Sequence, residues 1–284
     1  MKMQKLGIIG CGQMGSGISL VCAQSGYTVL VSDINSKLLQ RGLKNIETPL
    51  DKNIDKNKIT RQEKNTVLAR ITGTTNIGDF NDCDLVIEAI SEELDSKKQV
   101  FLKLDKICPP HTLLATNTSC LSVAEIAKVT HRSDKVLGLH FFNPVLTMKL
   151  IEIIKSATTS EETISAAKEF AGSLGKTFVV VQDSPGFIVN RLMMPQILNA
   201  IRIVESGIAT EEDVDTGMTL GLNHPLGPFA LADLIGLDTL LTIANNIHQK
   251  LGDKQYAAPE ILKKMVANGY LGRKTGRGFF LYKS

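Results

Sequence analysis

A glycine-rich turn near the start of the chain constrains the fold more than any other feature. Leu6-Gly7-Ile8-Ile9 is a short apolar run that predicts a buried parallel strand, and it leads straight into Gly10-Cys11-Gly12-Gln13-Met14-Gly15. Helical spacing follows over residues 14–23, and a second strand pattern over 27–32 ends at Asp33. Each glycine has its own job. Gly10 permits the tight turn, Gly12 has no Cβ to hold a pyrophosphate off the backbone, and Gly15 lets the helix pack closely on the sheet. The free N–H groups and dipole of the helix's first turn favour a bound diphosphate. An acid about 20 residues beyond the glycines sits where a ribose-binding carboxylate is expected. A glycine-rich turn alone also arises for structural reasons. Strand, glycines, helix, strand and acid in that order predict a dinucleotide site, with Gly10, Gly12, Gln13, Met14, Gly15 and Asp33 binding the cofactor. The Asp33 carboxylate would repel a 2′-phosphate, which favours NAD(H); Lys37 and Arg41 lie close enough in sequence to leave NADP(H) open.

The rest of the chain sets bounds. Its 284 residues give ample core for one large or two smaller domains. A net charge of +3 is too small to imply nucleic acid, and no apolar run reaches the roughly 18 residues of a membrane span. The strand pattern at the N-terminus leaves no room for a signal peptide. Five scattered cysteines without a CxxC indicate neither a disulfide framework nor a zinc cluster, and a reducing cytoplasm fits them.

Beyond Asp33, residues 36–44 predict a helix, and the lysine-rich stretch 45–70 is too long for a simple loop. Thr60-Arg61-Gln62-Glu63 has the form of a capping box, so 36–69 is read as a helical hairpin projecting from the sheet. Strands are expected at 71–75, 83–89, 112–116, 136–139, 150–154 and 178–181, with helices at 94–107, 123–128 and 159–174. This alternation predicts an α/β, doubly wound (Rossmann), mostly parallel sheet. Ligands of such sheets bind beyond the carboxyl ends of the strands, where Gly10, Asp33, Glu92, Asn117, Ser119 and His140 all fall. At Pro185-Gly186 the pattern changes to apolar-periodic helices, such as 188–205 and 237–251. The expected division is therefore 1–184 for the nucleotide-binding domain and 185–284 for an all-α domain. The latter carries enough apolar surface to suggest completion in a homodimer.

A nicotinamide enzyme needs a group to exchange a hydroxyl proton while hydride moves, and histidine suits neutral pH. His111 and His131 lie in polar connections, His248 lies on a helix near Lys250, and His224 lies in a proline-rich turn. His140 alone sits at the carboxyl end of a strand, beside Phe141 and Phe142. Glu152 is a lone acid within Leu150-Ile151-Glu152-Ile153-Ile154. Strand alternation could turn it to solvent; buried, it needs a partner, and it could return beside the His140 ring.

Several long motifs carry a family resemblance. They are the glycine turn, Asn117-Thr118-Ser119, Gly138-Leu139-His140-Phe141-Phe142-Asn143-Pro144, residues 183–191 (DSPGFIVNR), His224-Pro225-Leu226-Gly227-Pro228 and residues 274–280 (KTGRGFF). Over essentially its whole length the chain resembles the 3-hydroxyacyl-CoA dehydrogenases, and most of all the short bacterial 3-hydroxybutyryl-CoA enzymes. The resemblance implies interconversion of (3S)-3-hydroxybutyryl-CoA and acetoacetyl-CoA by hydride transfer with NAD(P). By motif, His140 resembles the catalytic histidine and Glu152 its paired carboxylate. Ser119 resembles the hydroxyl that bonds the substrate's 3-oxygen, and Asn190 the amide that positions substrate and steadies oxyanion charge. Taken alone, Ser119 and Asn190 would read as an N-cap and a helix-start residue. Glu92, Lys97, Asn117 and Asn143 match positions lining the cofactor and substrate cleft. Lys52 and Lys56 fall in the hairpin that grips the nucleotide end of CoA in relatives. Two rivals stand beside this reading: a sugar-acid (gulonate-type) dehydrogenase, and a nonenzymatic, crystallin-like dinucleotide-binding protein.

Overall fold

In the computed structural model, which describes residues 3–282, the chain divides into two compact units between Ser184 and Pro185. The first unit runs β1 (Lys5–Ile9), α1 (Gln13–Gln24), β2 (Thr28–Ser32), α2 (Ser36–Asp55), α3 (Arg61–Leu68), β3 (Ile71–Thr74), β4 (Leu85–Glu88), α4 (Leu94–Ile107), β5 (Leu113–Thr116), α5 (Val123–Ala127), β6 (Val136–Phe141), β7 (Leu150–Lys155), α6 (Glu161–Ser173) and β8 (Thr177–Gln182). Its eight strands form one sheet in the order β3-β2-β1-β4-β5-β6-β7-β8. Every neighbouring pair is parallel except β6 and β7. The chain starts in the middle of the sheet and reverses direction between β3 and β4. This is the doubly wound, mostly parallel Rossmann arrangement that the alternating pattern predicts.

The apolar strands are buried because helices cover both faces of a parallel sheet. Leu6, Ile8, Val29, Val31, Leu85 and Ile87 belong to one continuous core, each contributing roughly 1.5–3 kcal/mol by leaving water. The glycine turn is sterically determined. Gly10 has φ +94°, and a Cβ on Gly15 would lie 1.7 Å from the Gly10 carbonyl oxygen. Only a helix that presents bare backbone at this point can start so close to β1.

The helical hairpin forms, with one difference. The first helix does not stop near residue 44 but runs to Asp55, straight through Pro49. Leu39, Ile46 and Leu50 keep an apolar face on the core, and that burial outweighs the hydrogen bond that proline cannot make. The Thr60–Glu63 capping box closes α3 as expected. Lys64 is tied to Glu47 and Asp51 across the hairpin, at 2.7 and 2.5 Å.

The second unit is helical: α7 (Val189–Glu205), α8 (Glu211–Leu222), α9 (Pro228–Ile235), α10 (Leu237–Leu251) and α11 (Glu260–Ala267). Met194, Ile197, Leu198, Ile201, Leu240 and Ile247 lie in its core. Two carboxylates organise it. Asp215 accepts from the Phe229 and Ala230 amides at the start of α9, at 2.8 and 2.9 Å. The buried Asp233 accepts from the Phe279 and Phe280 amides and the Tyr282 hydroxyl, each at 2.9 Å. The glycine-rich tail is therefore a latch on this unit's own core: a Cβ on Gly278 would meet Asp233 at 1.9 Å. Among the described residues, no single helix is long and apolar enough to cross a membrane.

Candidate active site

The carboxyl ends of the central strands of the first unit carry the candidate residues. The N-terminus of α1 has Gly12 as its cap, with no side-chain cap bond and no acid in its first turn. A helix end left open in this way suits an anionic ligand. Gly12 and Gln13 are exposed, whereas Met14 packs on the core. At the end of β2, Asp33 is held by two amides, with Cys11 N–H donating to one oxygen at 3.0 Å and Ile34 N–H to the other at 2.8 Å. A cavity of about 650 Å³ opens here, lined by Gly12, Gln13, Asp33, Arg41, Asn143 and Val145 among others. The Gln13 amide donates to Asn143 Oδ1 at 3.1 Å. Burial first, and the Asp33 charge second, push the Cys11 thiol up to about 12, so no thiolate faces this turn near neutral pH.

His140 lies on β6 and Glu152 on β7. In this antiparallel pair the two residues stand directly opposite, so their side chains share one face of the sheet. His140 Nδ1 is 2.7 Å from Glu152 Oε2, and the Glu152 side chain is fully buried. The alternation that could have turned Glu152 to solvent instead turns it inward. An ionised carboxylate only accepts, so Nδ1 carries the proton of this bond and Nε2 is the acceptor nitrogen of the neutral ring. The Phe142 ring packs against the imidazole, with 4.4 Å between centroids. Asn117 Oδ1 accepts from the Phe141 amide at 2.9 Å, which fixes the backbone next to His140.

A second cluster lies at the ends of β4 and β5. Glu92 Oε1 accepts from the Thr118 hydroxyl at 2.6 Å, the Ser119 amide at 2.7 Å and the Ser119 hydroxyl at 3.0 Å. Burial pushes the Glu92 carboxyl up. The Lys97 ammonium and the Thr118 and Ser119 hydrogen bonds outweigh that and hold it below the usual carboxylate range. Lys97 was expected to line the cleft, but its side chain is wholly buried. Its Nζ lies 2.6 Å from Glu88 Oε1 and 3.4 Å from Glu92 Oε2, so the charge is used inside the protein rather than presented at a surface.

Lys52 and Lys56 are exposed at the C-terminal end of α2, where cations also suit the helix dipole. Asn190 belongs to the second unit, buried in the first turn of α7. Of the other histidines, His111 and His131 are exposed. His224 and His248 are half-buried, and His248 Nδ1 lies 2.9 Å from the Asp253 carbonyl oxygen. Phe142, named in the sequence as an aromatic neighbour of His140, supports the imidazole. Sequence reasoning passed over two residues that shape this region: Glu88 is buried under the β4 end, and Lys176 donates to the Val145 and Met148 carbonyls at 2.7 Å each, anchoring the segment after Asn143. Glu88 carried a related signal to Glu152, a lone acid in an apolar strand, but at the strand's end rather than within it.

Two family models match this chain in succession: 3-hydroxyacyl-CoA dehydrogenase, NAD binding domain, over residues 5–184, and 3-hydroxyacyl-CoA dehydrogenase, C-terminal domain, over residues 186–282. The chain belongs to the 3-hydroxyacyl-CoA dehydrogenase family. Within that family it is 45% identical to the probable 3-hydroxybutyryl-CoA dehydrogenase of Bacillus subtilis, over 100% of this chain and 99% of that one. It is 47% identical to the probable 3-hydroxybutyryl-CoA dehydrogenase of Deinococcus radiodurans, over 98% of this chain and 100% of that one. Among solved structures it resembles (S)-3-hydroxybutyryl-CoA dehydrogenase from Ralstonia eutropha, with a TM-score of 0.95 and 42% identity, each chain covered in full.

Proposed function

We propose that the protein interconverts (3S)-3-hydroxybutyryl-CoA and acetoacetyl-CoA with NAD(H), His140 acting as general acid and base. The single observation that carries this reading is the buried 2.7 Å contact between His140 Nδ1 and Glu152, at the carboxyl end of a strand in a dinucleotide-binding sheet. The residues of the first unit fit a dinucleotide. The open start of α1 suits its diphosphate, and the amide-held Asp33 suits the ribose hydroxyls. A nicotinamide held by these residues would supply the hydride acceptor for oxidation of the alcohol at C3 and the hydride donor for reduction of the ketone. His140 Nε2 takes the 3-hydroxyl proton in oxidation and returns a proton to the 3-oxygen in reduction. Glu152 holds the ring in the required tautomer and stabilises the imidazolium formed in between. The Ser119 hydroxyl is assigned to the substrate's 3-oxygen, and the exposed Lys52 and Lys56 to the phosphates of CoA. We further assign the exposed Leu192, Ile208 and Leu220 of the second unit to a homodimer face. Five free, buried cysteines suit a reducing compartment such as the cytoplasm.

Cofactor choice follows from Asp33. Both of its oxygens are held by backbone amides, so it cannot swing away from a 2′-phosphate. Asp33→Ser is expected to narrow the preference for NADH over NADPH by roughly tenfold or more, the worth of a charge-assisted hydrogen bond, while Arg41 remains in the same cavity. Initial rates with the two cofactors, before and after the substitution, check this; an unchanged ratio would assign the discrimination elsewhere.

Purified protein is expected to oxidise NADH when given acetoacetyl-CoA and to leave free acetoacetate and sugar acids untouched. Equal rates on CoA-free acids would favour the sugar-acid dehydrogenase reading, and no turnover on any of them would favour a nonenzymatic dinucleotide-binding protein.

A further inference from the structure

The connection between β6 and β7 is held by a charged group that the reaction scheme does not use. Of residues 143–148 only Val145 is buried; Asn143, Pro144, Leu146, Thr147 and Met148 are exposed. Asn143, Pro144, Val145 and Leu146 line the cavity beside α1, together with Gln13 and Gly17 of that helix. The two sides meet closely. The Gln13 amide donates to Asn143 Oδ1 at 3.1 Å, and a Cβ on Gly17 would lie 3.0 Å from the Val145 side chain. An exposed connection with one buried side chain is mobile unless something else ties it down.

Lys176 ties it. Its Nζ donates to the Val145 and Met148 carbonyls at 2.7 Å each, and among the described residues no backbone N–H takes either oxygen. The Thr147 and Met148 amides turn back onto the Pro144 carbonyl, at 3.1 and 3.0 Å. Those bonds shape the turn, whereas the lysine fixes where the turn sits. Lys176 is itself well placed. Helix α6 ends with Gly175 at φ +67°, and the Gly175 and Lys176 amides donate to the Gly172 and Ala171 carbonyls at 2.9 and 3.2 Å. The next residue, Thr177, opens β8 by donating to the Lys149 carbonyl at 2.8 Å. An ammonium carries three donors, so one side chain can hold two carbonyls at once. Burial lowers the Lys176 pKa below the usual lysine range. A half-buried cation held by carbonyl dipoles costs desolvation that an apolar side chain of similar length would avoid. That apolar side chain would leave both carbonyls, and the connection, untied.

We propose that Lys176 is a positioning residue for cofactor binding: it pins residues 143–148 against α1, so that Asn143 and Val145 stand as a fixed wall of the cavity at the glycine turn. It acts through the backbone of that segment. The effect on NADH rests on the proposed assignment of this cavity to a dinucleotide; the pinning itself does not.

Three proteins test this: wild type, Lys176→Met and Lys176→Arg. Methionine keeps the length and removes the donors, and arginine restores a cation with several donors. Each is measured, at a temperature where it is folded, for melting temperature, NADH dissociation constant, kcat and KM with acetoacetyl-CoA, and hydrogen exchange at the Thr147 and Met148 amides. Lys176→Met is expected to raise the NADH dissociation constant roughly tenfold or more, the worth of two bonds from a charged donor. At saturating cofactor and substrate its kcat is expected to stay within about threefold of wild type, since the loss is in binding rather than in the chemical step. Lys176→Arg is expected to recover most of the affinity. A lower melting temperature with unchanged NADH affinity would reduce Lys176 to a structural role and overturn the proposal. A loss of affinity that arginine fails to restore would overturn it too, because the donors would then not be the cause. A rise confined to the KM for acetoacetyl-CoA would give the wall to the thioester and overturn the cofactor role. Exchange judges the pinning without any ligand. Faster exchange at Thr147 and Met148 in Lys176→Met, reversed in Lys176→Arg, supports it, and unchanged exchange refutes it. If wild type itself fails to bind NADH, the dinucleotide reading falls while the exchange comparison still judges the tether.

Discussion

Replacing His140 by asparagine is expected to lower kcat for acetoacetyl-CoA reduction by roughly a thousandfold, within the range that positioned acid–base groups supply. The affinity for NADH is expected to change little. Asparagine is the informative choice because its side-chain amide can place a donor near the position of Nδ1. Glu152, which has no exposed surface, then keeps a partner. Alanine would take the His140 partner away from that buried carboxylate, and loss of fold would be confused with loss of chemistry. Steady-state kinetics and a melting curve on the same preparation separate the two. A variant that keeps its fold and retains near-normal kcat would remove His140 from the mechanism.

The second large effect is at Glu152. Glu152→Gln preserves shape and a hydrogen-bonding end opposite His140 in the β6–β7 register, but an amide can donate as well as accept. Donation to Nδ1 selects the tautomer with the proton on Nε2, the nitrogen that must accept the substrate's proton in oxidation. Even in the correct tautomer, a neutral amide stabilises the imidazolium less than a carboxylate does. A fall in kcat of roughly a hundredfold or more is expected, in oxidation and in reduction, with KM for NAD(H) little changed because Glu152 is sealed beneath the ring. Rates in the two directions check this. A variant with altered KM for NAD(H) and unaltered kcat would place Glu152 in cofactor binding instead.

Local pattern made the sheet readable. Each parallel strand is a short apolar run closed by turn residues, and the first βα unit fits one glycine spacing because Gly15 meets the Gly10 carbonyl and tolerates no side chain. What local pattern could not carry was pairing. Alternation within β7 leaves Glu152 free to face either way, and only its register opposite His140 buries it. Strand β6 runs two residues past the expected end at Leu139, taking in His140 and Phe141, because β7 pairs with both of them. In the hairpin, Pro49 and a lysine-rich composition obscured one continuous amphipathic helix whose apolar face meets the core. Lys97 shows the same limit at the site. Its place in sequence, one turn into a helix behind Glu92, suggests a cleft residue. In the fold its ammonium also lies against Glu88, nine positions earlier on a strand, and that pairing draws it inside. Glu88 was passed over because acids at strand ends usually belong to turns, and its burial depends on α4 and β5 closing around it.

The measurement that bears most directly on the central claim is product analysis of a reaction started with acetoacetyl-CoA and NADH. The account predicts (3S)-3-hydroxybutyryl-CoA, resolved by chiral chromatography, in molar equality with NADH consumed. NADH loss without a 3-hydroxy thioester, or the (3R) product, would contradict it.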